Sequence, residues 1–302
     1  MSRRGWCVLG AVLVSLIPGQ ARAADPSASI AQSEWLFGVE GLVRTPVDFS
    51  LNFGGSWFDY GLNGEVTHIE NPTLAPTSNG DFDIDPAALQ GGFRFSGGIG
   101  FWQCCVLIEP ALAFWIHGPL GSGRTDNGPI VGDPDDQDEF STSEIELEQG
   151  WDLAFGPQFT WRIDEDLPGV GGYLGGLPLV FFPYLGISHA AFDADLTVID
   201  PTSTPPVASF VREFQDTLLM VGFDLDIPLP GAHGPFTHAL TFGFKWVDGG
   251  NNHSFLQRFP GNSELRRYEF EGLDGPRYEL RYTVYWNDFE GFFKRNFFGP
   301  AS

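Results

Sequence analysis

Between Glu144 and Arg162 two kinds of residue alternate almost without error. The odd positions read Ile145, Leu147, Gln149, Trp151, Leu153, Phe155, Pro157, Phe159 and Trp161. The even positions read Glu144, Glu146, Glu148, Gly150, Asp152, Ala154, Gly156, Gln158, Thr160 and Arg162. One set is apolar and broken only at Gln149; the other is polar or small throughout. A β-strand sends alternate residues to opposite faces. A helix would mix the two sets, and Gly150, Gly156 and Pro157 would break it. At about 3.3 Å per residue the strand is roughly 60 Å long, although about 9–11 residues suffice to cross a bilayer. A closed barrel in lipid takes an apolar face outward and tolerates acid inward. Trp151 to Trp161 is the best membrane segment. Asp152 then faces a lumen, and Glu144, Glu146 and Glu148 form a collar outside the membrane.

The same alternation recurs along the chain. Phe49, Leu51, Phe53, Gly55 and Trp57 share one parity, as do Phe93, Phe95, Gly97, Ile99 and Phe101. Further strands are expected over 106–116, 144–162, 178–199, 207–227, 236–246 and 277–286, which makes eight counted from Asp48. The 178–199 strand is mixed in parity. Long polar connections over 61–88, 118–143 and 248–276 alternate with shorter ones, the pattern of external loops and periplasmic turns. Aromatic residues gather near strand ends and read as interfacial girdles: Trp57, Phe58, Tyr60, Phe101, Trp102, Phe114, Trp115, Trp161, Phe181, Phe182, Tyr184, Trp246, Tyr285 and Trp286. The stretch 35–43 reads either as a strand or as a short amphipathic helix capped by Ser33. As a spanning strand it would need a partner, which Glu264 to Glu271 would supply in a ten-stranded barrel; twelve strands also fit the length.

Residues 1–23 read as a secretory signal. Arg3 and Arg4 precede the short apolar run Gly5–Ile17, and Ala21-Arg22-Ala23 is a small-x-small cleavage site. The domains expected are therefore this signal (1–23), a lead segment (24–47), the barrel (48–286) and an aromatic tail (287–302). Removing the signal takes away Arg3, Arg4 and Arg22. The remainder holds 39 acids and 16 − 3 = 13 bases, a balance of −26. That excludes a nucleic-acid binder, which needs a basic footprint. Cys104 and Cys105 are adjacent and point apart on a strand, so no disulfide scaffold is expected.

The layout resembles the membrane domain of the bacterial outer-membrane protein A superfamily and related small eight-stranded barrels. The resemblance rests on the short-turn strand pairs Gly91–Trp115 and Glu144–Gly186 and on the terminal strand Arg277–Trp286. It implies an all-β, antiparallel up-and-down barrel in the outer membrane of a Gram-negative bacterium, porin-like in form and inserted by the barrel assembly machinery. Such barrels finish on an aromatic residue. Trp286 stands in that place here, with 16 residues after it, and Arg281 replaces a glycine often found in that terminal signal.

The lumen-lining candidates are Arg94, Glu109, Asp152, Arg162, Asp224, Asp226, Lys245, Glu279 and Arg281. Small barrels are filled by side chains, and buried charges must pair. A salt-bridged plug is the first expectation, and a narrow cation-favouring channel the second, since acidic rings select cations. Asp81, Asp83 and Asp85 open like a calcium loop, but Pro86 replaces the required glycine and Gly92 the bidentate Glu, so no metal is expected. His253-Ser254 and Ser188-His189 are adjacent pairs, in which the base cannot easily reach the hydroxyl. No catalysis and no cofactor are expected, and a lipid-modifying enzyme is the remote alternative. The partners expected are outer-membrane lipid and lipopolysaccharide, no nucleic acid, and an unidentified extracellular ligand for acidic loops.

Overall fold

A computed structural model describes residues 41–68, 78–84, 87–103, 106–119, 140–162, 178–199, 207–233, 236–258, 265–286 and 289. These residues are almost wholly strand. In chain order the strands are β1 (Leu42–Val43), β2 (Val47–Phe58), β3 (Tyr60–His68), β4 (Ser78–Ile84), β5 (Ala87–Gly97), β6 (Gly100–Gln103) and β7 (Val106–Pro119). They continue as β8 (Phe140–Arg162), β9 (Pro178–Ile199), β10 (Val207–His233), β11 (Phe236–Asp248), β12 (His253–Arg258) and β13 (Leu265–Trp286).

Eight of them close a ring. The antiparallel order β2-β5-β7-β8-β9-β10-β11-β13 returns to β2 through the register Arg277↔Phe58 to Trp286↔Phe49. Closure leaves no unpaired edge around the wall. The alternation seen in sequence is the alternation of the wall. Leu153 is 38% exposed and Asp152 is 0%. Leu51, Phe53, Leu89, Phe155, Leu185, Leu219, Val221 and Phe242 stand outward and exposed, while polar side chains point in and are buried. Such an inside-out distribution suits lipid and not water.

The register also explains the polar break. Pairing of β8 with β9 shifts between Leu147 and Gly150, on either side of Gln149. Below the shift, Trp151 to Trp161 alternates cleanly. Above it β8, β9 and β10 run on far beyond the bilayer; β10 alone has 27 residues, about 90 Å of chain at the strand rise.

Several sequence expectations are corrected. The stretch 61–88 is not simply a loop: β3 and β4 form a hairpin over Tyr60–Ile84, and β3 pairs with the upper half of β13. Asp81 and Asp83 lie in β4. Glu264 to Glu271 does not found a ninth or tenth spanning strand. From Leu265 it is the upper part of β13, paired with β12 and β3, and continuous with the terminal strand. Gly275 (φ 148) marks the change between the two halves; a Cβ there would lie 2.2 Å from the Asp59 carbonyl oxygen. The expected strand over Phe93–Phe101 is broken at Gly97 and Gly98, both with positive φ, and resumes as β6. Of the lead segment, Leu42–Val43 pairs with β6 and does not span. The signal segment, Trp35–Glu40, loop residues 120–139 and most of the tail lie outside the described residues.

Candidate functional site

The barrel interior is the site that the fold builds. β8 brings Asp152, β10 Asp224 and Asp226, β11 Lys245, β5 Arg94, and β13 Arg277, Glu279 and Arg281. All eight are buried, none more than 4% exposed. Lys245 Nζ lies 2.9 Å from Asp152 and 2.8 Å from Glu279. Arg277 pairs with Asp152, and its Nε lies 2.9 Å from Glu279. Arg281 pairs with Asp224 and stands 3.2 Å from the second Glu279 oxygen. Arg94 pairs with Asp226 and lies 3.8 Å from Asp224, and Tyr285 bonds both Arg94 and Asp226. The chain of contacts is continuous from Asp152 to Tyr285. It holds four cations and four anions, so it is neutral, and the acid excess of the protein lies outside it.

Aromatic rings fill the space between these charges. Lys245 Nζ sits 3.9 Å from the centre of the Trp115 ring, and the Arg281 guanidinium 5.1 Å from it. Arg94 lies over Phe182 and Arg277 over Phe58, at 5.3 and 5.1 Å. Cations over ring faces keep part of the stabilisation that water would supply. This corrects the girdle assignment: Phe58, Tyr60, Trp115, Phe182 and Tyr184 are buried inside the wall. It also accounts for the mixed parity of β9, whose Phe182, Tyr184 and Phe192 fill the interior while Leu185 faces out. Trp57 and Trp246 remain outward at the upper rim, and Tyr278, not among the expected girdle residues, stands outward with them. Trp161 stacks with Phe159 at 5.8 Å near the lower rim.

Small residues make the room. A Cβ on Gly243 would lie 2.8 Å from Glu279 Oε2, 2.9 Å from Arg281 Nη2 and 3.0 Å from Asp224 Oδ1. One on Gly92 would lie 2.5 Å from Trp115 Cδ1. The small members of the inward parity are therefore the complement of its large ones.

Buried polar contacts also occur toward both ends of the described strands. At the outer end Asp216, 1% exposed, accepts bonds from Asn251 N at 3.1 Å and Nδ2 at 3.2 Å, and meets His253 Nε2 at 2.8 Å. These contacts tie the segment after β11 to β10. At the inner end Thr45, Leu107 and Glu109 converge on Gly100, whose Cβ would lie 2.8, 3.0 and 3.3 Å from them. Thr45 and Val43 are buried there, each 7% exposed.

Eight of the nine sequence candidates are thus buried side chains of the interior. Seven of them join one network, and Glu109 stands apart at the inner mouth. Arg162 ends β8, and its side chain lies outside those described. Sequence reasoning missed Arg277, although it opens the alternation Arg277, Glu279, Arg281. It also missed His117, which is 1% exposed and 3.7 Å from Asp152. His253 meets Asp216, not Ser254, and His189 meets Thr217 at 3.1 Å.

No protein-family model and no curated protein matches the chain. Among solved structures it is similar to Ail, the attachment invasion locus protein of Yersinia pestis, solved with the heparin analogue sucrose octasulfate. That match has a TM-score of 0.29 and 10% identity, over 80% of this chain and 99% of that one. Neisserial surface protein A gives 0.27 and 8%, over 79% and 96%. The outer membrane protease OmpT from Escherichia coli gives 0.28 and 7%, over 82% and 99%. Likeness at this level specifies no function. The fold rests on the chain's own register, burial and closure, and these make it an eight-stranded outer-membrane β-barrel.

Proposed function

We propose that this chain is a non-catalytic barrel with a structural and surface-interaction role, displaying long β-extensions and acidic loops outside the cell. The observation that carries this reading is the neutral ion-pair network across the interior. A conducting pore needs sites that an ion can enter and leave. Here each lumenal carboxylate of the network already has a cation from the protein. The acid excess of the sequence includes Asp133, Asp135, Asp136, Asp138 and Glu139. A dense acidic surface steers partners with cationic faces.

Two measurements test the reading. Purified barrel in a planar bilayer should carry no steady current. Vesicles bearing it should bind polylysine, and the form with those five acids changed to Asn or Gln should bind less. Stable cation-selective conductance would replace the proposal with a channel. Altered lipid A on overexpression would replace it with an enzyme.

A further inference from the structure

We propose that Glu109 heads a site for one monovalent alkali cation at the inner end of the barrel, with Gln158 and Thr45 supplying neutral oxygens. Glu109 differs from the four carboxylates of the network. Asp152, Asp224, Asp226 and Glu279 each pair with a lysine or an arginine. Glu109 is only 4% exposed, yet no cation among the described residues faces it. Arg44 is near in sequence to Thr45, but it is exposed and stands between the buried Val43 and Thr45. Arg94 is taken by Asp226. A carboxylate buried without a counter-charge is costly.

The groups around Glu109 are oxygens. The register sets Gln158 of β8 directly opposite Glu109 of β7, and residues so paired on one face touch. Gln158 is 3% exposed; its Nε2 donates to Ser96 Oγ at 3.0 Å, which fixes the amide, and its Oε1 makes no hydrogen bond. The Thr45 hydroxyl faces Glu109 from the lead segment, and it too is buried. Both side chains close on Gly100, whose Cβ would lie 2.8 Å from Thr45 Cγ2 and 3.3 Å from Glu109 Cγ. A proton on Glu109 would engage one of these oxygens, whereas an alkali cation engages several together. Among the described residues no three His, Cys, Asp or Glu side chains gather to hold a metal. One carboxylate with neutral oxygens is too little charge for a calcium cage, and a single positive charge leaves the site neutral. The inference does not rest on the surface-interaction reading.

The test uses the full mature chain refolded into phosphatidylcholine vesicles, with the same salt inside and outside. Urea unfolding is followed by tryptophan fluorescence at constant ionic strength in sodium, potassium or N-methylglucamine chloride, the last cation being too large for the site. The midpoint should rise with sodium or potassium and stay flat with N-methylglucamine, since a ligand of the folded state alone stabilises it. Glu109→Gln, which keeps size and hydrogen bonding, should abolish the rise, and Glu148→Gln in the outer collar should keep it. Thr45→Val, which removes one oxygen and keeps the shape, should raise the cation concentration needed. Infrared difference spectra of the folded wild type on exchange of either alkali cation for N-methylglucamine should show a shifted carboxylate stretch. A midpoint indifferent to the cation would overturn the proposal, as would a rise that survives Glu109→Gln or is unchanged by Thr45→Val. A protonated carboxyl band at neutral pH that the salt exchange leaves unmoved would give Glu109 a proton in place of the cation and overturn it as well.

Discussion

Lys245 reaches across the barrel to Asp152, from β11 to β8, and places its Nζ 2.9 Å from the carboxylate. The two strands are not neighbours in the wall; β9 and β10 lie between them. The pair is a cross-strut, and Glu279 and Arg277 complete it.

Lys245→Met should therefore destabilise the barrel strongly. It leaves Asp152 and Glu279 buried with one cation fewer, and breaking a buried pair on one side costs about 3–5 kcal/mol. Denaturant unfolding in lipid vesicles would read this as a lower midpoint. Adding Asp152→Asn should return part of the loss, and a double variant as unstable as the sum of the single ones would argue against direct coupling.

Leu153→Arg tests the outer face. Leu153 is 38% exposed on the wall beside buried Asp152. A charge there should cost about 2–4 kcal/mol if it sits near the bilayer midplane. Folding equilibria in vesicles would show it, whereas Leu153→Phe should be tolerated.

Gly243→Val places atoms where Glu279, Arg281 and Asp224 already meet. Overpacking typically costs about 1–3 kcal/mol, and displacing the ion pairs adds to that. Thermal or urea unfolding would measure it; Gly249→Ala offers a control for space, since a Cβ there meets nothing within 4 Å, although its positive φ carries its own strain.

Acidification should relieve the collar above the membrane. Glu148 is held above its ordinary value of 4.5, chiefly by the charge of Asp193, with Glu213 adding to it. A raised carboxyl binds its proton more readily in the folded state than in the unfolded one. Its contribution therefore opposes folding at neutral pH and fades as pH falls through the raised value. Glu148→Gln should be neutral or slightly stabilising at pH 7, with a benefit that shrinks on acidification and in high salt. Unfolding midpoints over pH and ionic strength would check the sign.

The first strand read from sequence, Glu144 to Arg162, is found as β8 from Phe140 to Arg162, and its break at Gln149 is a register shift. The outward set was legible because lipid selects apolar residues position by position. The girdle was less legible: Trp115 and Trp57 look alike in sequence, yet one is buried inside and the other is half exposed. An aromatic residue suits a headgroup boundary and a packed lumen equally well, so composition does not separate them. Likewise the polar stretch 61–88 hid β3 and β4, because the backbone of β3 is satisfied by pairing with β13, at the far end of the chain.

The sequence by itself determined the period, and with it the spanning strands of the wall and the even strand count that puts both ends of the barrel on one side. These follow from a local rule, since neighbouring residues in a strand face opposite ways. Only the tertiary structure decided that the interior is closed by paired charge. Asp152 and Arg277 are 125 residues apart, and no local pattern announces that they meet. Their meeting depends on ring closure and register, which bring distant strands into one narrow interior where charges left unpaired are costly.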